Sequence, residues 1–240
     1  MNEADNKANA PGGKARFPGA VTLRILAALL GYPDARMRSH LPEMVQLLHR
    51  EHTLPAARAV ELQALMAALL AADPLAGEAT YVELFDRGRA TSLHLFEHVH
   101  GDSRDRGPAM IDLGQTYAKA DLFLAEGELP DYLPAVLEFV STQPTREAKA
   151  FLGEISHLLK GIFGALHKRE SPYASVLGAL LELAGEKAEA VEPAPEPPMD
   201  ESWAEPVVFD GCSTQGQAKP GQLQPVRIVR KADHAKGASA

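Results

Sequence analysis

The chain has 240 residues, 45% of them hydrophobic, and a formal net charge of −8. That length suits one domain plus tails, and a body of about 170 residues buries roughly 70% of its unfolded surface, enough for a self-sufficient core. The negative balance does not suit a nonspecific nucleic-acid binder, which needs clustered Lys and Arg, and points to a basic or apolar partner. A single cysteine, Cys212, excludes an intramolecular disulfide and any multi-cysteine zinc or iron-sulfur site built by this chain alone, which fits a reducing cytoplasm.

Residues 1–19 hold Asn, Ala, Gly and Lys without a long apolar run and read as a disordered N-terminal tail. The first apolar run, Ala20 to Leu30, is interrupted by Arg24 and falls well short of the roughly 20 residues that span a bilayer. It reads as a core helix, so a cytoplasmic protein that is not integral to a membrane is expected. From residue 20 to 185 apolar residues recur at helical spacing with no sustained alternation. The fold class expected is therefore all-α, a single compact multi-helix domain.

Pro42 would remove a backbone bond from a helix running from Asp34 to Glu51, which favours a fresh helix start at that point. Leu62, Leu65, Met66, Leu69 and Leu70 form one apolar stripe. Asp73-Pro74 marks the next start, because Asp caps and Pro loses nothing at the first helical position. Met110, Leu113, Tyr117, Ala120 and Leu124 form a second stripe with steps of three and four. Phe151, Leu152, Ile155, Leu158, Leu159, Ile162, Phe163 and Leu166 form a third, wide enough to predict one helix buried on two sides. Ser171-Pro172 marks the last start. Beyond it, residues 186–240 open with a Pro/Glu-rich stretch that cannot bury enough surface to order itself, although Trp203, Val207, Val208 and Phe209 give the tail an apolar group.

Chemistry concentrates between Leu84 and Gly107, where Asp86, Arg87, Arg89, Glu97, Asp102, Arg104, Asp105 and Arg106 surround His94, His98 and His100. Charges of both signs among Leu93, Leu95, Phe96 and Val99 predict a polar network with specific partners, because buried charge without a partner is costly. His94-Leu-Phe-Glu97-His98 spells H-x-x-E-H, the spacing with which some zinc peptidases grip a metal from one helix face. Without a third-ligand motif, hydrogen-bonded helix-face histidines are the favoured reading, and no metal site is assigned. Arg87-Gly88-Arg89 lacks the glycine spacing and lysine of a phosphate loop. Thr91 or Ser92 capping the next helix, with the arginines paired to Asp86, Asp102 or Asp105, accounts for it better.

From Asp121 to Glu138 there are five acids and no Lys or Arg, with Leu129, Tyr132, Leu133 and Val136 among them. One reading is an acidic groove for an amphipathic helix carrying apolar anchors and positive charge. The other is a set of solvent-facing acids with Asp131 capping a helix that starts around Tyr132 and tolerates Pro134 in its first turn.

The string LFDRGRATSLHLFEHVHGDSRDRG at Leu84 to Gly107, ELPDYLPAVLEF at Glu128 to Phe139, LLGYPD at Leu29 to Asp34 and the stretch from Asp73 to Arg89 together resemble the assembly chaperones of respiratory nitrate reductase, the delta-subunit or NarJ-type family. The resemblance covers residues 22 to about 185. It implies an all-helical domain of the redox-enzyme maturation class and a binding protein rather than an enzyme. The implied partner is the N-terminal segment of the reductase's catalytic alpha subunit, with molybdenum cofactor delivery proteins as further partners. The implied role is support of molybdenum cofactor and iron-sulfur cluster insertion before membrane docking, with no cofactor held stably by the chain itself. Glu128, Asp131, Tyr132, Leu133 and Leu137 are then the expected client-peptide contacts. The wider class often carries E-x-P-D-H here, whereas this chain has Tyr132 in the histidine's place, an aromatic ring that cannot become cationic near neutral pH. Chaperoning of another molybdoenzyme and a metal-dependent hydrolase using His94 and His98 are the alternatives.

Overall fold

Apolar residues at three- and four-residue steps build ten α-helices among the residues described by the computed structural model, 17–101 and 103–189. In chain order they are α1 (Ala20–Leu30), α2 (Ala35–Glu51), α3 (Ala56–Ala71), α4 (Pro74–Phe85), α5 (Leu95–Val99), α6 (Arg106–Ala118), α7 (Leu133–Thr142), α8 (Thr145–Glu154), α9 (Ser156–Lys168) and α10 (Ala174–Ala184). A 3-10 turn at Arg89–Thr91 links α4 to α5. The described residues contain no β-strand, and none of their helices is long and apolar enough to cross a membrane. The predicted tails, apart from residues 17–19 and 186–189, lie outside the described residues, as do Asp102 and Cys212.

The core is assembled around α1 and α10. Leu23, Leu26, Leu29 and Leu30 of α1 are fully buried, and the helix lies along α7 while also touching α2 and α10. α10 buries every residue from Ser175 to Leu181, as expected of a helix that is apolar all round and packs against α1, α3, α8 and α9. Each such leucine contributes about 1.5–3 kcal/mol by leaving water. The core reaches back to Phe17, which is 4% exposed.

Gly19 stands at the N-cap of α1 and offers no side chain for the first turn. Glu51, at the end of α2, supplies what is missing: its carboxylate accepts from Val21 N at 3.0 Å, Thr22 N at 2.5 Å and the Thr22 hydroxyl at 2.5 Å. A carboxylate at this end also complements the helix dipole. α2 and α4 are capped locally instead, Asp34 accepting from Met37 N and Asp73 from Ala76 N, with Pro74 in the first turn as its position predicts.

Four sequence expectations change. Pro42 lies within a continuous α2 and starts no new helix; it stands at an exposed position of that helix, where a lost backbone bond costs least. The third stripe is divided between α8 and α9 by a turn at Ile155, whose ψ of 0° leaves the helical region. α6 ends at Ala118, before Ala120 and Leu124, and buries only Tyr117 of the second stripe. At the last start, Ser171 and Pro172 form a tight turn in which Ala174 N donates to Ser171 O, and the helix proper begins at Ala174.

Replacing Glu51 with Ala strips three donors of their acceptor and lowers unfolding free energy by about 1–2 kcal/mol. Urea unfolding of the variant measures it, and an unmoved midpoint would show that Glu51 does not hold α1.

Candidate functional site

A five-residue helix such as α5 cannot sustain itself, because nucleation costs more than one turn returns. Its first turn receives no local side-chain cap. Asp131, remote in sequence and 0% exposed, provides one: its Oδ2 accepts from Phe96 N at 3.1 Å. The backbone reinforces the junction, with Leu95 N donating to Asp131 O at 3.0 Å and Leu133 N to Leu93 O at 2.8 Å, so that His94 and Tyr132 face each other in an antiparallel bridge.

The same carboxylate gathers charge. Asp131 Oδ1 lies 3.3 Å from His94 Nδ1, and Arg106 Nη2 sits 3.8 Å from Oδ2 and 3.5 Å from Glu97 Oε1. The hydrogen bond to Asp131 raises the His94 pKa, against the opposing effect of burial. The His94 ring rests on Tyr132 at a centroid distance of 5.3 Å. Tyr132 Oη is 3.2 Å from Tyr81 Oη, and Tyr81 donates to Leu30 O at the end of α1. Tyr132 thus belongs to a polar row running from α1 to α5.

Next to this hub, the α6–α7 connection folds over one side of α7. The wall formed by Tyr117, Leu122, Phe123, Leu124 and Glu128 faces Tyr132, Pro134, Ala135, Glu138 and Phe139 across a groove of about 120 Å³. Its inner surface is more apolar than polar, and Glu128 and Glu138 are exposed at it. Phe123 is 82% exposed and Leu129 44%, an unusual cost for a connection that must remain in water. The loop turns through left-handed backbone at Asp121 and at Gly127, and Glu128 accepts from Ala125 N.

The predicted client contacts divide. Glu128 and Tyr132 line the groove, whereas Asp131, Leu133 and Leu137 are fully buried and back it from the core. Their burial removes them from direct contact in this conformation. Asp131 does not cap α7, whose N-cap is Tyr132; it caps α5. Phe123 went unnoticed because it lies past the end of α6 and outside any helical stripe.

Within the polar network, Arg106, Glu97, His94 and Asp131 come together, while Arg87 pairs with Glu83 on the exposed face of α4. Arg89 lies beside Gly101, Arg104 and Asp86 are exposed, Asp105 accepts from the Ser103 hydroxyl, and the His100 ring packs on Phe96. Thr91 does not cap α5 as expected but donates to Leu84 O; Ser92 Oγ accepts from His94 N, just outside the helix. His94 stands before α5 and faces Asp131, whereas His98 Nε2 meets Ser92 O at 2.9 Å, so the two rings of H-x-x-E-H are committed to different partners. No group of three His, Cys, Asp or Glu suited to hold a metal occurs among the described residues.

The family described as nitrate reductase delta subunit matches residues 51–178. The nitrate reductase molybdenum cofactor assembly chaperone NarJ of Escherichia coli strain K12 is 46% identical over 164 residues, 68% of this chain and 70% of that protein. NarW of the same strain, assigned the same role, is 42% identical over 163 residues, 68% of each chain. The crystal structure of an Archaeoglobus fulgidus protein assigned as a redox enzyme maturation protein superposes with a TM-score of 0.52 at 17% identity, covering 76% of this chain and 100% of that one, a likeness of fold alone.

Asp131→Ala should cost about 3 kcal/mol by leaving Phe96 N without its acceptor and taking the buried carboxylate from His94 and Arg106, which keeps only Glu97, and should return the His94 pKa toward the ordinary value of about 6.5. Urea unfolding and a histidine NMR titration read the two effects; an unchanged His94 titration would refute the pairing. Because the folded His94 pKa is raised, its stabilisation is complete below the ordinary histidine value and is lost as pH rises through the raised one. The stability gap between wild type and His94→Gln should therefore narrow with rising pH.

Proposed function

Because the chain belongs to the nitrate reductase delta subunit family, we propose that it is the assembly chaperone through which a nitrate reductase acquires its molybdenum cofactor. The named relatives are chaperones, so the role is one of binding, and the chain is no enzyme. Its client is the catalytic alpha subunit, held by its N-terminal segment while still without cofactor. Holding that segment keeps the apoenzyme open to molybdenum cofactor and iron-sulfur cluster insertion and defers membrane docking. Proteins that deliver the molybdenum cofactor are further partners in this scheme, and the site of action is the cytoplasm.

The observation that carries this reading is the apolar groove with carboxylates at its surface on the α6–α7 connection. A short amphipathic helix can place an apolar anchor between Phe123, Leu124 and Ala135 while its basic residues meet Glu128 and Glu138. Binding then combines apolar burial, which salt leaves intact, with exposed charge attraction, which salt screens over about 10 Å at 0.1 M. Asp131, Leu133 and Leu137 shape the groove from behind.

Titrating a peptide copied from the alpha subunit's N-terminus into wild type and into Glu128→Lys/Glu138→Lys should show about tenfold weaker binding in the double variant and a shallower salt dependence. Phe123→Ser should weaken binding while leaving the salt dependence unchanged. Equal heats of binding in all three would remove the groove from the mechanism. In cells without the gene, nitrate reductase should be purified with little molybdenum; a fully loaded enzyme would contradict the chaperone role itself.

A further inference from the structure

The chain does not leave the body where α10 ends. Gly185 turns through left-handed backbone at φ 85°, the Glu186 amide donates back to Leu181 O at 2.8 Å, and the Glu186 carboxylate accepts from Lys160 Nζ on α9 at 2.8 Å. Two residues on, Ala188 is half-buried against the core and lines a cleft of about 520 Å³. α3 and α9 form its walls, with Ala64 and Leu65 on one side and Phe163 and His167 on the other, and it extends to Ser175 in the first turn of α10. Past the reversal at Gly185, the chain thus enters at Ala188 a cleft that leads back along α10 toward its start.

The residues that follow, 190–195, read Ala-Val-Glu-Pro-Ala-Pro and lie outside the described residues. Pro193 and Pro195 fix their own φ and bias Glu192 and Ala194 toward extended backbone, so the sequence favours a polyproline helix with three residues per turn. At that period Ala188, Val191 and Ala194 share one face, and Glu189 and Glu192 share another. From Ala188 to Ala194 such a chain advances about 19 Å, against about 16 Å for the eleven residues of α10. Length and periodicity therefore suit the cleft. Charge suits it too, because α9 carries no Asp or Glu and its Lys160 already holds Glu186. A small anion is the poorer occupant, since Arg58 in the cleft wall is matched by Glu61 and Glu182.

We propose that residues 190–195 of the chain itself occupy this cleft as a strap, with the Val191 side chain between Leu65 and Phe163 and the carboxylates of Glu189 and Glu192 turned toward α9. A Pro/Glu-rich stretch cannot order itself, but here the body supplies the apolar surface, and the two prolines have already restricted the backbone that docking must fix. The domain then ends near Pro195 and not at the last turn of α10. The cleft shares no lining residue with the acidic groove, so the strap leaves the client site open.

The test is NMR on the full chain with Leu and Val methyl groups and Phe rings labelled. Nuclear Overhauser contacts are expected from the Val191 methyls to the Leu65 methyls and the Phe163 ring, unchanged on dilution. Val191→Asp should erase them and shift the Leu65 and Phe163 signals, while Pro193→Gly/Pro195→Gly, which frees the backbone, should weaken them about twofold. Because the wild type alone shows or lacks the contacts, the outcome does not depend on how either variant folds. Absent contacts from Val191, or Leu65 and Phe163 signals that Val191→Asp leaves in place, would overturn the proposal. So would contacts found only between differently labelled chains in a mixed sample, which would assign the cleft to a second copy.

Discussion

The carboxylate of Asp131 is the constraint on which the α5–α7 side of the molecule depends. A fully buried charge survives only where its partners are already in place, and here they come from three directions: Phe96 N at the start of α5, His94 just before it, and Arg106 in the first turn of α6. The backbone pairs that flank it hold Leu95 against Asp131 itself and Leu93 against Leu133, at the head of α7. None of the three helices could shift alone without leaving a buried group unpaired. The acidic groove inherits its shape from this arrangement, since Tyr132, one residue on, lines its floor and bonds to Tyr81 on α4.

The family explains why such a hub is useful. The groove exposes apolar groups such as Phe123, and exposed apolar groups tend to collapse onto the core. Leu133 and Leu137 are fully buried, whereas Phe123 and Leu129 stay outside the core. The polar row from Leu30 O through Tyr81, Tyr132 and His94 to Asp131 further fixes the boundary between core and groove. The Tyr132 hydroxyl reaches Tyr81 on α4 and so links α4 to the head of α7.

Much of the fold was legible in the sequence because helical periodicity and capping are local. The helix class, the start at Asp73-Pro74 and the cluster of charges between Leu84 and Gly107 all rest on short-range chemistry. What escaped was tertiary. No spacing rule reveals that Asp131 caps α5 from more than thirty residues away, or that Glu51 performs the same service for α1. Pro42 misled because the cost of a lost backbone bond depends on whether the freed acceptor is wet, and the continuous stripe from Phe151 to Leu166 concealed a break because Ile155 is as apolar as its neighbours. At the site, the acidic stretch was visible as composition, but which of its members face outward was settled by packing, which turned Leu133 and Leu137 inward and left Phe123 outside.

α6 is thirteen residues long and buries one side chain fully, Tyr117, whose ring lies 4.8 Å from Phe139 and whose hydroxyl donates to Pro130 O at 2.7 Å. Its other firm tie is Arg106 at the opposite end. So little buried area means that detaching this segment exposes far less surface than unfolding the whole, and its opening free energy is correspondingly small. The roof over the groove can therefore loosen while the stability of the whole stays with the leucines buried in α1 and α10.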